Sequence, residues 1–136
     1  LATNPSSLGA VGLPVWLWAD STSPNTTGPI SNSASERGYT VNITARLKNI
    51  TWTLGDGSAP IQCGIGQRFD PGSMGPNTPV VCGRQAGYAK QGEYTITATS
   101  NWEVTWNGIG RSGVIQYPRE TSGTVRIGEI QVVVNS

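Results

Sequence analysis

Nine residues, Tyr39 to Leu47, alternate without a break: Tyr39, Val41, Ile43, Ala45 and Leu47 are apolar or aromatic, with Thr40, Asn42, Thr44 and Arg46 between them. Period two puts the first set on one face of a strand and the second on the other, whereas a helix would scatter both sets around its circumference. A chain with such a strand must build a sheet and cover one of its faces.

The same signature recurs. Asn49 to Leu54 carries Ile50, Trp52 and Leu54 on one face and reads as a second strand after a tight connection, either the antiparallel partner of the first or its neighbour across two layers. Glu93 to Trp106 places Tyr94, Ile96 and Ala98 together and, if the register holds, Trp102, Val104 and Trp106 with them. So long a strand is expected to bend or bulge near Ser100-Asn101. Pro14 to Trp18 is a short strand opened by a proline. Val114 to Pro118 reads as a short edge strand within a glycine-bearing excursion over 107–123. A closing strand from Gly123 to Asn135 carries Val125, Ile127, Ile130, Val132 and Val134, with a slip at Gly128-Glu129. Charged residues are only 12% of the 136, against 18 glycines and 9 prolines. That balance suits short strands and turns and makes long helices improbable. The reading is one all-β domain over 13–136, preceded by a tether or irregular lead-in over 1–12, with a surface connection over 20–37.

Between Ser58 and Gly87 the alternation gives way to Pro, Gly and Asn, and this stretch holds both cysteines of the chain, Cys63 and Cys82. Two cysteines in one loop-rich segment suit a disulfide better than a zinc site, which normally takes four ligands, and a disulfide belongs to an extracytoplasmic compartment, secreted or anchored to the cell envelope.

Trp52 and Leu54 run directly into Gly55-Asp56-Gly57, a turn in which two residues without Cβ flank an acid that bonds turn amides. The stretch Thr51-Trp52-Thr53-Leu54-Gly55-Asp56-Gly57 resembles the Trp-x-Phe-Gly-Asp-Gly signature of the PKD (polycystic kidney disease) domain, with Leu54 at the aromatic's position. Tyr88 to Thr99, with Tyr94 within it, resembles the segment leading into that family's late central strand. The resemblance implies an immunoglobulin/PKD-like antiparallel β-sandwich, here with a long disulfide-stapled insertion. Val-Trp-Leu-Trp, Phe-Asp-Pro between the cysteines, Trp-Glu-Val-Thr-Trp and Gly-Glu-Ile-Gln-Val-Val are together similar to uncharacterised secreted or membrane-anchored actinobacterial proteins, a likeness that implies no activity.

The residues argue against several classes of chemistry. With no histidine and no Gly-x-Ser-x-Gly elbow, the usual nucleophile systems are missing, and no catalytic residue or cofactor is expected. No Asp-rich calcium loop is present, Asp56 and Asp70 being the nearest to a metal pair. A net charge of +1 without a basic run leaves no footprint for nucleic acid. The longest apolar run, Gly9 to Trp18, is broken by Pro14 and far short of the roughly 20 residues that span a bilayer, so no membrane insertion by this segment is expected. Five of the ten aromatic residues are tryptophan. Trp16/Trp18 and Trp102/Trp106 are each spaced to share a strand face. Exposed, they form a platform for sugar rings or a protein partner; buried, they extend the core, Trp102 and Trp106 packing against Trp16 or Trp18. The functional expectation is a non-catalytic module making protein contacts at the cell surface, with carbohydrate binding on a tryptophan platform as the alternative.

Overall fold

In the computed structural model, which describes residues 2–5, 8–19 and 29–129, every regular element is a β-strand. They are β1 (Ala2–Asn4), β2 (Leu8–Ala10), β3 (Val15–Trp18), β4 (Ile30–Glu36), β5 (Tyr39–Thr53), β6 (Ile61–Cys63), β7 (Gly83–Arg84), β8 (Gly92–Gly108) and β9 (Arg111–Gly128). A three-stranded sheet has the order β1-β3-β7, and a six-stranded sheet the order β2-β9-β8-β5-β4, with β6 beside β5. All pairs are antiparallel except β2 with β9.

The large sheet is dominated by two hairpins that turn at the same end. β8 passes to β9 through Ile109 and Gly110 at φ 54° and 69°, and β4 to β5 through Arg37 and Gly38 at φ 51° and 80°. Two consecutive positive φ angles make type I′ turns, whose twist matches that of the strands they join. The two sheets share a core: Val15 and Leu17 of β3 pack with Ile50, Trp52, Leu54, Ile96, Ala98, Val125 and Ile127, and with Tyr88 and Cys82 from the segment before β8. Cys63 and Cys82 form a disulfide with Cα atoms 6.0 Å apart. It ties β6, at the edge of the large sheet, to the residues preceding β7 of the small one, where the Leu17 amide also donates to the Cys82 carbonyl at 2.9 Å.

Several expectations are corrected. The lead-in contributes two strands: Ala2–Asn4 pairs with β3 and Leu8–Ala10 with β9. Backbone pairing asks nothing of side chains, and small residues suffice where an edge is open. Within the expected surface connection, Ile30–Glu36 is a strand against β5, while 20–28 lie outside the described residues. Tyr39 to Leu47 and Asn49 to Leu54 are not two strands. They form one 15-residue strand with a register shift between Leu47 and Asn49, so Lys48 is the extra residue of a bulge. The jump from odd to even apolar positions, read as a turn, is what a bulge requires to keep both sets on one face. The irregularity expected near Asn101 therefore lies across the ladder on β5; β8 itself pairs with β9 without a slip. Val114 to Pro118 belongs to an 18-residue strand. Val125 and Ile127 are buried as expected, whereas Ile130, Val132 and Val134 lie outside the described residues.

Candidate interaction surface

The apolar face of the large sheet extends past its cover. No described residue of β5 on the hairpin side of Leu47, and none of β8 beyond Ala98, belongs to the shared core or packs against it. The sheet nevertheless continues as an arm of four rows made of β4 and the hairpin halves of β5, β8 and β9, the first row still touching the core through Leu47 and the other three lying past it. The ladders fix those rows: Leu47, Trp102 and Tyr117; then Ile30, Ala45, Val104 and Ile115; then Asn32, Ile43, Trp106 and Gly113; then Ala34, Val41, Gly108 and Arg111.

An ion pair and hydrogen bonds on the reverse side confirm which way the strands face. Arg46 lies 3.6 Å from Glu103, Asn42 donates to Asn107 at 3.2 Å, and Asn101 donates to Asn49 at 2.6 Å and to Thr51 at 3.0 Å. The odd positions of β8 therefore point to the polar side on both sides of the bulge, and the even positions, Trp102, Val104 and Trp106, share the opposite face. Exposure on that face is high for apolar residues: Ile43 40%, Ile115 53% and Tyr117 55%. Trp106 lies flat over β9, so close that a Cβ on Gly113 would meet its Nε1 at 2.6 Å. The glycine is the space the indole occupies.

The four strand tryptophans are thus separated. Trp16 is 1% exposed, its ring centroid 5.5 Å from that of Phe69, on the outer side of the small sheet. Trp102 is buried at 8%, and Trp18 and Trp106 are half-buried. The expected packing of Trp102 and Trp106 against Trp16 or Trp18 is not formed, because β3 covers the other half of the sheet. Trp18 instead lines an open cleft of about 530 Å³ with Trp52, Thr3, Thr121, Ser122 and Thr124. Trp52 is buried in the core, its Nε1 unpartnered.

The Gly55-Asp56-Gly57 turn is held by side chains from far along the chain. Asp56 Oδ1 accepts from the Ser58 amide at 3.1 Å and its hydroxyl at 2.5 Å, while Oδ2 pairs with the Arg84 guanidinium. The hydrogen bond from Arg84, joined by those from Ser58, holds the carboxyl at about 2, below its ordinary 3.8. Arg84 also donates to the Gly87 carbonyl and lies over the Tyr88 ring. Tyr88 stacks on Tyr94 at 4.3 Å and donates to the Leu54 carbonyl at 2.8 Å. Burial, reinforced by the charge of Asp56, pushes the Tyr88 hydroxyl up to about 12. Gly55 runs so close to β8 that a side chain there would strike the Thr95 carbonyl. Nothing local in the sequence marks Arg84 as the partner of an acid 28 residues away. Asp70 serves its own turn, accepting from the Gly72 amide and the Ser73 hydroxyl. Among the described residues, no three Asp, Glu, His or Cys side chains come together to hold a metal ion, and no helix is long and apolar enough to cross a membrane.

Compared with family models, with curated proteins and with solved structures, the chain matches none.

Proposed function

We propose that the domain is a non-catalytic interaction module of an exported protein, and that it docks a protein partner on the apolar face of its arm. The observation that carries the reading is the division of the arm into a hydrogen-bonded polar face and an apolar one that no described residue covers beyond Leu47, since monomeric proteins rarely leave a contiguous apolar patch larger than a few hundred Å². Isolated apolar side chains on a surface need no explanation; several rows of them do. The disulfide supports an extracytoplasmic site of action. An immunoglobulin-like sandwich of PKD type is supported by the Gly55-Asp56-Gly57 turn and by Tyr94, near the start of β8, whose hydroxyl reaches back to the Lys90 carbonyl at 2.7 Å. A photo-crosslinking residue at position 115, on the apolar face, should yield a covalent protein adduct on the exporting cell; at position 114, on the polar face, it should not. Equal labelling from both faces, or none from position 115, would remove the reading.

Carbohydrate binding is the second reading, favoured by the cleft at Trp18: one half-buried indole and several hydroxyls without a charged group suit a neutral sugar. A glycan array that bound the wild-type chain and lost signal with Trp18→Ala, at unchanged thermal stability, would place this reading first.

A further inference from the structure

We propose that the occupant of the arm's apolar face is a second copy of the same chain, seated with its strands antiparallel about a two-fold axis that crosses the arm between the Val104 row and the Trp106 row. The proposal rests on the reading of the arm as a docking surface and names its partner.

Three observations carry it. The first is size. Four strands spaced about 4.8 Å apart and the three rows past Leu47, about 7 Å apart, give a footprint of roughly 400 Å² per copy, to which Tyr117 adds its exposed ring. Doubled, that is about 800–900 Å², at the low end of interface sizes, where a pair is weak and reversible.

The second is the shape of the whole domain. The three-stranded sheet stands over the same side of the large sheet as the exposed apolar rows, at the end away from the hairpins. Two copies laid face to face with hairpins at the same end would drive their small sheets into the same space. Reversing one copy puts the small sheets at opposite ends and leaves the arms free to meet, as two layers about 10 Å apart do in aligned sheet packing.

The third is the pattern of side chains in the rows. Under this axis the first row faces the fourth, and the second faces the third. Trp102 then comes opposite Gly108 of the other copy, Val104 opposite Trp106, Ala45 opposite Ile43, and Ile115 opposite the Trp106 indole that lies over Gly113. Most facing positions are apolar on both copies, and where Trp102 faces Gly108 and Ala45 faces Ile43 a large side chain meets a small one, as interdigitating layers require. Among the described residues of the four rows Arg111 alone is charged, and it comes opposite Tyr117, where the guanidinium can lie on the ring. Glu36, one row nearer the hairpin turns, and Arg119, one row nearer the small sheet, fall at the rim, where charge is tolerated. Because the contact is isologous, each pairing occurs twice.

Sedimentation equilibrium of the purified, oxidised chain tests this. The wild type should be a reversible dimer, and Ile115→Glu should weaken association at least tenfold, while Val114→Glu, on the opposite face of the same strand, should leave it intact. Both positions are exposed, so neither variant endangers folding. Small-angle scattering should show the dimer to be about one and a half times as long as the Ile115→Glu monomer, because only the arms overlap. A wild-type chain that stays monomeric at several hundred micromolar overturns the proposal, as does a dimer that Ile115→Glu leaves intact or one no longer than the monomer. A monomeric chain whose position 115 still crosslinked to a different protein would end self-pairing and leave the docking face standing.

Discussion

The two halves of the large sheet are made of the same strands and have opposite fates. β5, β8 and β9 run through both halves, and the apolar sets of β5 and β8 keep to one face throughout, with Ile115, Tyr117, Val125 and Ile127 of β9 on the same side. Toward the disulfide that face lies under β3, and Ile50, Trp52, Ile96 and Ala98 are buried. Toward the hairpin turns Ile43, Ile115 and Tyr117 sit in water at 40%, 53% and 55% exposure. Alternation creates an apolar face, but only a second layer turns that face into a core.

The difference can be tested by mutating matched positions. Trp52→Ala should cost about 3–5 kcal/mol, the range for removing a large buried aromatic, whereas Trp106→Ala in the arm should cost about 1 kcal/mol or less when measured by chemical denaturation of the monomer. Equal costs at the two sites would mean that the arm has a cover within the chain. Replacing both cysteines, Cys63→Ser with Cys82→Ser, should lower stability by about 3 kcal/mol, the chain-entropy value for their 19-residue separation, and should loosen the covered half while the arm keeps its ladder. Hydrogen exchange, read strand by strand, would expose any departure from that split.

Acid should act on the covered half as well. The carboxyl of Asp56 is held at about 2 against the ordinary 3.8, so its contribution is fully present above pH 4 and is lost as the pH falls through the interval between those values. Allowing for solvent screening at a partly exposed pair, the loss should be about 1–2 kcal/mol. Asp56→Asn should flatten that part of the pH profile, and an unchanged profile in the variant would show that the Arg84 pair does not hold the turn. The smallest effect belongs to the arm: Ile115→Ser should change monomer stability by no more than about 0.5 kcal/mol, the usual range for an exposed position. A larger loss would mean that the residue is packed within its own chain.

Much of the covered half is legible in the residues. Trp52 and Leu54 point inward because they alternate with threonines, and the turn after them follows from two glycines around an acid. Cys63 and Cys82 pair as their placement in a core-poor segment suggests. The arm is less legible. Its hairpins turn at Arg37-Gly38 and Ile109-Gly110, although Asn107-Gly108 is by composition the stronger turn dipeptide. Register decides the matter: Gly108 faces Arg111 across the turn, and its close approach to the Thr40 carbonyl leaves no room for a side chain.

By itself, then, the sequence determined which side chains share a face, where one turn had to form and which sulfurs would meet, because each depends on residues near in the chain or on a choice with one outcome. Tertiary structure alone decided that Lys48 is a bulge and not a turn, that the mostly polar Ile30–Glu36 and the small residues of the lead-in are strands, and that β3 covers one half of the large sheet while no described residue covers the apolar face of the other beyond Leu47. Backbone hydrogen bonds recruit a strand wherever an edge is open, whatever its side chains, and the reach of a covering layer is set by how many residues of another sheet lie above it, which no periodicity records.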